Sequence, residues 1–154
     1  MKKIVLLSLL LTAFMGLAAA QEVGVFSLGL GVEGCMNTRY GVALEENLSF
    51  DYGIVKTVTA GIKFGFSQDF TGITVLAPEA FARWYFTEID GNPLFVQVDL
   101  GASLIMEDSR IHPVFLGGLM AGIRFPLNAW YVEPSVRIGY PFIWGAGAAA
   151  GYRF

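Results

Sequence analysis

Along most of this chain apolar and polar residues alternate with a period of two, and no other feature of it restricts the fold so narrowly. Residues i and i+2 share one face of a strand, whereas a helix repeats near 3.6. Over 94–106, Leu94, Val96, Val98, Leu100, Ala102, Leu104 and Met106 form one row, and Phe95, Gln97, Asp99, Gly101, Ser103 and Ile105 the other. Over 130–140, Trp130, Val132, Pro134, Val136, Ile138 and Tyr140 oppose Tyr131, Glu133, Ser135, Arg137 and Gly139. The same split runs through 57–66, and through 114–125, where Phe115, Leu119, Ala121, Ile123 and Phe125 oppose a row ending in Arg124. Eight strands follow, at 23–33, 40–52, 57–66, 73–86, 94–106, 114–125, 130–140 and 144–154. Each is long enough to cross a bilayer at the usual tilt, which takes about 9–11 residues. The breaks carry turn residues, as in Asp90-Gly91-Asn92-Pro93, Pro126-Leu127-Asn128 and Asp69 to Gly72. The second strand is the least regular, because Glu46 falls in the apolar row beside Leu44 and Leu48. A bulge or register shift is expected at Glu45-Glu46-Asn47.

Residues 1–20 have a different character. Lys2-Lys3 precede an apolar stretch that ends in Ala18-Ala19-Ala20. That is the layout of a cleavable secretory signal, preferred over an uncleaved anchor helix because the apolar part is short and ends in small residues. Residues 21–154 then make one domain. Of the ten basic residues two leave with the leader, so eight face 13 acidic ones, for a net charge of −5. Nucleic acid needs clustered Lys and Arg, so such a chain is a poor candidate to bind it. One cysteine, Cys35, excludes an internal disulfide framework. It follows Val32-Glu33-Gly34, unlike a lipoprotein acylation box, and reads as a free small residue in a loop.

Alternation alone leaves two barrels open, one that buries its apolar row and one that turns it toward lipid. Aromatic residues separate them, since membrane barrels collect these in two belts. One set of strand ends carries Phe26, Tyr52, Trp84, Tyr85, Phe86, Phe95, Phe125, Trp130, Tyr131, Tyr152 and Phe154, and the other Tyr40, Phe64, Phe66, Tyr140, Phe142 and Trp144. Phe81 is an exception in mid-strand. The polar rows offer Glu45, Glu79, Asp99 and Glu133 against Lys63, Arg83, Arg124, Arg137 and Arg153. Near-equal numbers favour an internal network over a solvated surface, because buried charges are costly unless paired. Eight strands enclose a lumen that side chains fill, so an open pore is not expected. The expected fold is an all-β, eight-stranded, antiparallel up-and-down transmembrane barrel with a polar, filled interior.

In the last strand Trp144, Ala146, Ala148, Ala150, Tyr152 and Phe154 share a face, and the sequence ends on Phe154 with Tyr152 two residues before. This ending, the exported start and the eight strands resemble the small bacterial outer-membrane barrels of the OmpA transmembrane-domain and OmpX type. The resemblance implies an outer-membrane location, contact with outer-membrane lipid, and recognition of Tyr152 and Phe154 by the barrel assembly machinery. It also implies a monomer without a cofactor, with a structural or surface-interaction role rather than catalysis. The short candidate outer connections, 34–39, 67–72, 107–113 and 141–143, depart from that type and weaken a role for protruding loops.

Other functions would rest on particular residues. A periplasmic lipocalin-like carrier of an apolar ligand needs the Val and Leu rows inside. A lipid-modifying enzyme would draw on His112 with Asp108 and Ser109, but a nucleophile and base in one short loop lack the rigid geometry of a triad. One histidine and one cysteine are too few for a zinc site. Gly29-Leu30-Gly31-Val32-Glu33-Gly34 spells GxGxxG, yet no helix follows to receive a pyrophosphate. Its glycines read as small lumen-facing residues, as do Gly145, Gly147 and Gly151, which would leave room for Arg and Tyr side chains from across the barrel. Asn47-Leu48-Ser49 has the form of a glycosylation sequon but lies inside a predicted strand.

Overall fold

The computed structural model describes residues 23–37, 41–69, 73–89, 91–107 and 110–154. The leader, Tyr40, Asp108 and Ser109 therefore lie outside the described residues. Among the described residues nine strands are formed: β1 Phe26–Asn37, β2 Gly41–Val55, β3 Val58–Asp69, β4 Thr74–Ile89, β5 Asn92–Glu107, β6 Arg110–Ile123, β7 Phe125–Leu127, β8 Trp130–Tyr140 and β9 Trp144–Arg153. Sequential strands pair antiparallel, β9 pairs with β1, and β6 and β7 both pair with β8, which closes the sheet. Pairing of β7 resumes in the register of β6 past Arg124, opposite Glu133 and Pro134, so the two are one stave and the barrel has eight.

The size of the barrel follows from the registers. Starting at Phe26 and stepping to the paired residue leads through Tyr52, Ala60, Ala82, Val98, Leu119, Ile138 and Trp144 to Met36, ten residues along the starting strand. Eight strands with that stagger, at the usual spacing and rise, tilt by about 40° and enclose a radius of roughly 8 Å. Each residue then climbs about 2.5 Å along the barrel axis. Both described chain ends lie at one rim, called lower here, where Phe154 donates its backbone N–H to Phe26 O at 2.9 Å. Two lower turns use left-handed backbone, at Gly91 (φ 76°) and Asn128 (φ 60°), the residue types that tolerate it.

The alternation sets which way each row points. Val98, Leu100, Phe64, Val136 and Ile138 are exposed on the outside, whereas Gln97, Asp99, Lys63 and Arg137 are buried in the lumen. The carrier reading required the opposite arrangement. Lower outward aromatics are Phe26, Tyr52, Trp84, Phe125, Trp130 and Phe154, and the upper ones Phe64, Phe66, Phe115, Tyr140 and Trp144. Four residues assigned to the belts point inward instead: Tyr85, Phe95, Tyr131 and Phe142 are buried. Strand parity explains the first three, since Trp84 faces out and its neighbour must face in. Phe142 packs with Cys35 and Ala43 beneath the upper rim.

Other expectations are corrected by register. No bulge occurs at residues 45–47, where Glu45, Glu46 and Asn47 pair in sequence with Ser67, Phe66 and Gly65. The irregularities fall at Gly53/Val55 and Tyr85/Thr87, near the lower rim. Cys35 is a strand residue, not a loop residue: it pairs with Ala43 and Gly145, is 1% exposed, and its thiol lies 3.5 Å from Ala43 O. The expected loop over 107–113 is mostly strand, with Pro113 opposite Leu104 and His112 exposed on β6. Proline is tolerated there because β6 has a partner on its β8 side only from Gly117 onward.

Glycines make the lumen passable for large side chains. A Cβ on Gly151 would lie 2.1 Å from Cζ of Tyr131, and one on Gly145 1.9 Å from Oε1 of Glu33. The occupants thus come from the adjacent strands β8 and β1 rather than from across the barrel. Gly151→Val is expected to lower stability by about 1–3 kcal/mol through overpacking, read as a lower urea midpoint in vesicles. Combined with Tyr131→Ser it should cost less than the sum of the two single changes, because both act on the same contact.

Candidate functional site

The lumen is the only place where the described structure gathers ionisable side chains, and it does so in two tiers. In the upper tier Arg137 on β8 reaches across to three carboxylates: Nε lies 2.9 Å from Glu33 Oε1, Nη2 3.1 Å from Glu45 Oε2, and Nη1 3.6 Å from Glu79 Oε1. Lys63 on β3 sits 3.3 Å from the same Glu79 oxygen and 3.8 Å from Asp99 Oδ1. Four carboxylates therefore share two cations, and strands β1, β2, β3, β4, β5 and β8 are tied together through them.

In the lower tier Glu133 on β8 accepts from Arg83 Nη1 at 2.8 and 2.9 Å and from Arg124 Nε. Arg83 Nε also donates to Gln97 Oε1 at 2.8 Å, and Gln97 passes the chain to Asp99 at 2.6 Å. The two guanidinium groups lie over aromatic faces, Arg83 4.3 Å from the centre of Phe95 and Arg124 4.0 Å from that of Tyr131. Planar guanidinium suits both the bidentate carboxylate and the ring face, which an ammonium would not. Tyr85, Phe95 and Met120 pack together at this level.

Between the tiers a space of about 30 Å³ is lined by Glu33, Asn47, Ser49, Lys63, Arg83, Gln97, Glu133 and Ser135 among others. It holds about two water molecules and no larger guest. The structure thus brings Glu45, Lys63, Glu79, Arg83, Asp99, Arg124, Glu133 and Arg137 into one chain of contacts, and leaves Arg153 outside it. Arg153 is only half-buried at the lower rim, where its guanidinium donates to Asn128 O. Two buried acids were not anticipated, Glu33 in the upper tier and Asp51, which is 2% exposed. Their inward parity was the available signal, but one stood at an expected strand end and the other in the irregular second strand. Tyr152 and Phe154 stack edge-on at the lower rim, ring centres 5.2 Å apart, with Trp130 against Tyr152 at 5.0 Å.

An apolar exterior with two aromatic belts, a closed sheet and a charged interior define a transmembrane β-barrel, since closure alone satisfies every backbone group in hydrocarbon. No protein-family model matches the sequence. No curated protein matches it either. Solved structures do. The chain is similar to the N-terminal β-barrel domain of Pseudomonas aeruginosa OprF, with TM-score 0.64, 14% identity, and coverage of 87% of this chain and all of that one. Neisserial surface protein A, NspA, matches with TM-score 0.60 and 10% identity over 84% of this chain and 94% of that one. The attachment invasion locus protein Ail of Yersinia pestis matches with TM-score 0.53 and 14% identity over 86% and 100%. The fold is that of the small eight-stranded barrels to which these outer-membrane proteins belong.

Proposed function

We propose that this protein is a bacterial outer-membrane barrel with a structural or surface-interaction role and no open pore. The observation that carries this reading is the inverted barrel, greasy outside and filled with paired charge inside. In this reading the leader 1–20 is cleaved on export, the assembly machinery engages the C-terminal strand through Tyr152 and Phe154, and the barrel works as a monomer in outer-membrane lipid. A surface role is consistent with likeness to a surface protein and an attachment protein.

The test is fractionation with a gel. The protein is expected in the outer membrane, and its unboiled form should migrate differently from the boiled one because the closed barrel resists detergent. Vesicles containing it should shrink and swell in osmolyte like empty ones. Recovery in the soluble periplasm would defeat the location, and rapid solute entry would defeat the filled lumen.

A further inference from the structure

Glu46 on β2 faces away from the lumen, in unbroken register between Val32 of β1 and Phe66 of β3. Among the described residues it is the only acidic or basic side chain on the outward face between the two belts. At about 2.5 Å of climb per residue, its Cα lies roughly 4 Å below the mean level of the upper belt, Phe64, Phe66, Phe115, Tyr140 and Trp144, and only Phe64 of that belt lies deeper. A carboxylate at that depth is unfavourable without a partner, and such residues mark contacts or pathways. Its outward neighbours Val32, Gly34, Leu44, Leu48, Phe64 and Phe66 are apolar, and the polar one, Gln68 diagonally across on β3, is an amide that carries no charge to balance it.

We propose that this patch docks a membrane-embedded segment of a different protein, through a lysine or arginine that pairs with Glu46. A second copy of the chain is disfavoured, because its described outward face carries no basic residue between the belts and would bring carboxylate to carboxylate. A lipid ammonium sits at headgroup level, with the aromatic rings or above them, and is separated from a protein partner by the experiment below. The surface beside Glu46 is also recessed: Gly34 pairs with Ala146, and Ala148 follows on the same outward row. Small residues let a partner's backbone come close. The proposal rests on the barrel being membrane-embedded, as argued above.

The experiment uses the protein and its Glu46→Leu variant refolded into phosphatidylcholine vesicles, with insertion checked by the gel shift. Each is titrated with a dansyl-labelled polyleucine transmembrane helix carrying one lysine a single turn inside its end, or with the same helix lacking lysine. Energy transfer from the tryptophans reports binding. The lysine helix should bind the unmodified protein about tenfold more tightly than its control, the worth of one polar contact in a bilayer, and Glu46→Leu should abolish the difference. Equal binding of the two helices, or a lysine preference that survives in Glu46→Leu, overturns the proposal. So does loss of the preference when phosphatidylethanolamine replaces phosphatidylcholine, which would assign Glu46 to a lipid amine. Failure of the unmodified protein to insert would bring down the membrane reading itself.

Discussion

Replacing Arg137 with methionine should cost about 3–5 kcal/mol, the usual penalty for removing one partner of a buried ion pair, and in this lumen the upper end of that range is expected. Arg137 touches Glu33, Glu45 and Glu79. Without it four buried carboxylates keep Lys63 as their one cation among the described residues. Methionine preserves most of the volume, so the loss is electrostatic rather than a cavity. The readout is the urea midpoint in phosphatidylcholine vesicles, together with the fraction of chain that shows the folded band. Adding Glu33→Gln and Glu45→Gln to the same chain should restore a large part of the loss. An unchanged midpoint for Arg137→Met would mean that the upper tier carries no net stability.

Glu133→Leu is expected to have an effect of similar size, about 3–5 kcal/mol, by the opposite route. Glu133 is the carboxylate that both Arg83 and Arg124 grip. Removing it leaves Arg83 and Arg124 with buried Asp51 as the remaining carboxylate that attracts both, in a space closed by Tyr85, Phe95 and Tyr131. Because Arg83 stands on β4 and Glu133 on β8, the pair spans the barrel, and its loss should speed unfolding of the whole sheet. Arg83→Met added to Glu133→Leu should recover stability, since the remaining single charge keeps its ring contact with Tyr131. The two tiers share the Gln97–Asp99 link, so the Arg137 and Glu133 changes should combine with a measurable coupling rather than add.

How far the sequence could be read depended on parity. Where a strand has a clean row, as at 94–106 and 130–140, the period of two separates outward Val96, Val98, Val136 and Ile138 from inward Gln97, Asp99, Glu133 and Arg137. Position along a strand is a poorer guide than parity. Tyr85, Phe95 and Tyr131 lie near strand ends, where belt aromatics are expected, yet they alternate with outward Trp84, Val96 and Trp130 and so face the lumen. Strand ends were harder. Gly34-Cys35 and Asp108 to Pro113 carry turn-forming residues, yet Cys35 is fixed by partners on both sides and Pro113 by one. Such pairing is a long-range property that no local window contains. Glu46 shows the limit most clearly: an acidic residue in an apolar row suggested a slipped register, whereas the register is continuous and the charge stands on the lipid face.

Site-directed spin labelling over residues 94–104 tests the orientation of the two rows directly. Single cysteines, in a Cys35→Ser background, are labelled in vesicles and their collision rates with oxygen and with a water-soluble nickel chelate are measured. Val96, Val98 and Leu100 should show high oxygen and low nickel accessibility, alternating residue by residue with Gln97 and Asp99, which should be shielded from both. The opposite phase, or a pattern without a period of two, would contradict the inverted barrel.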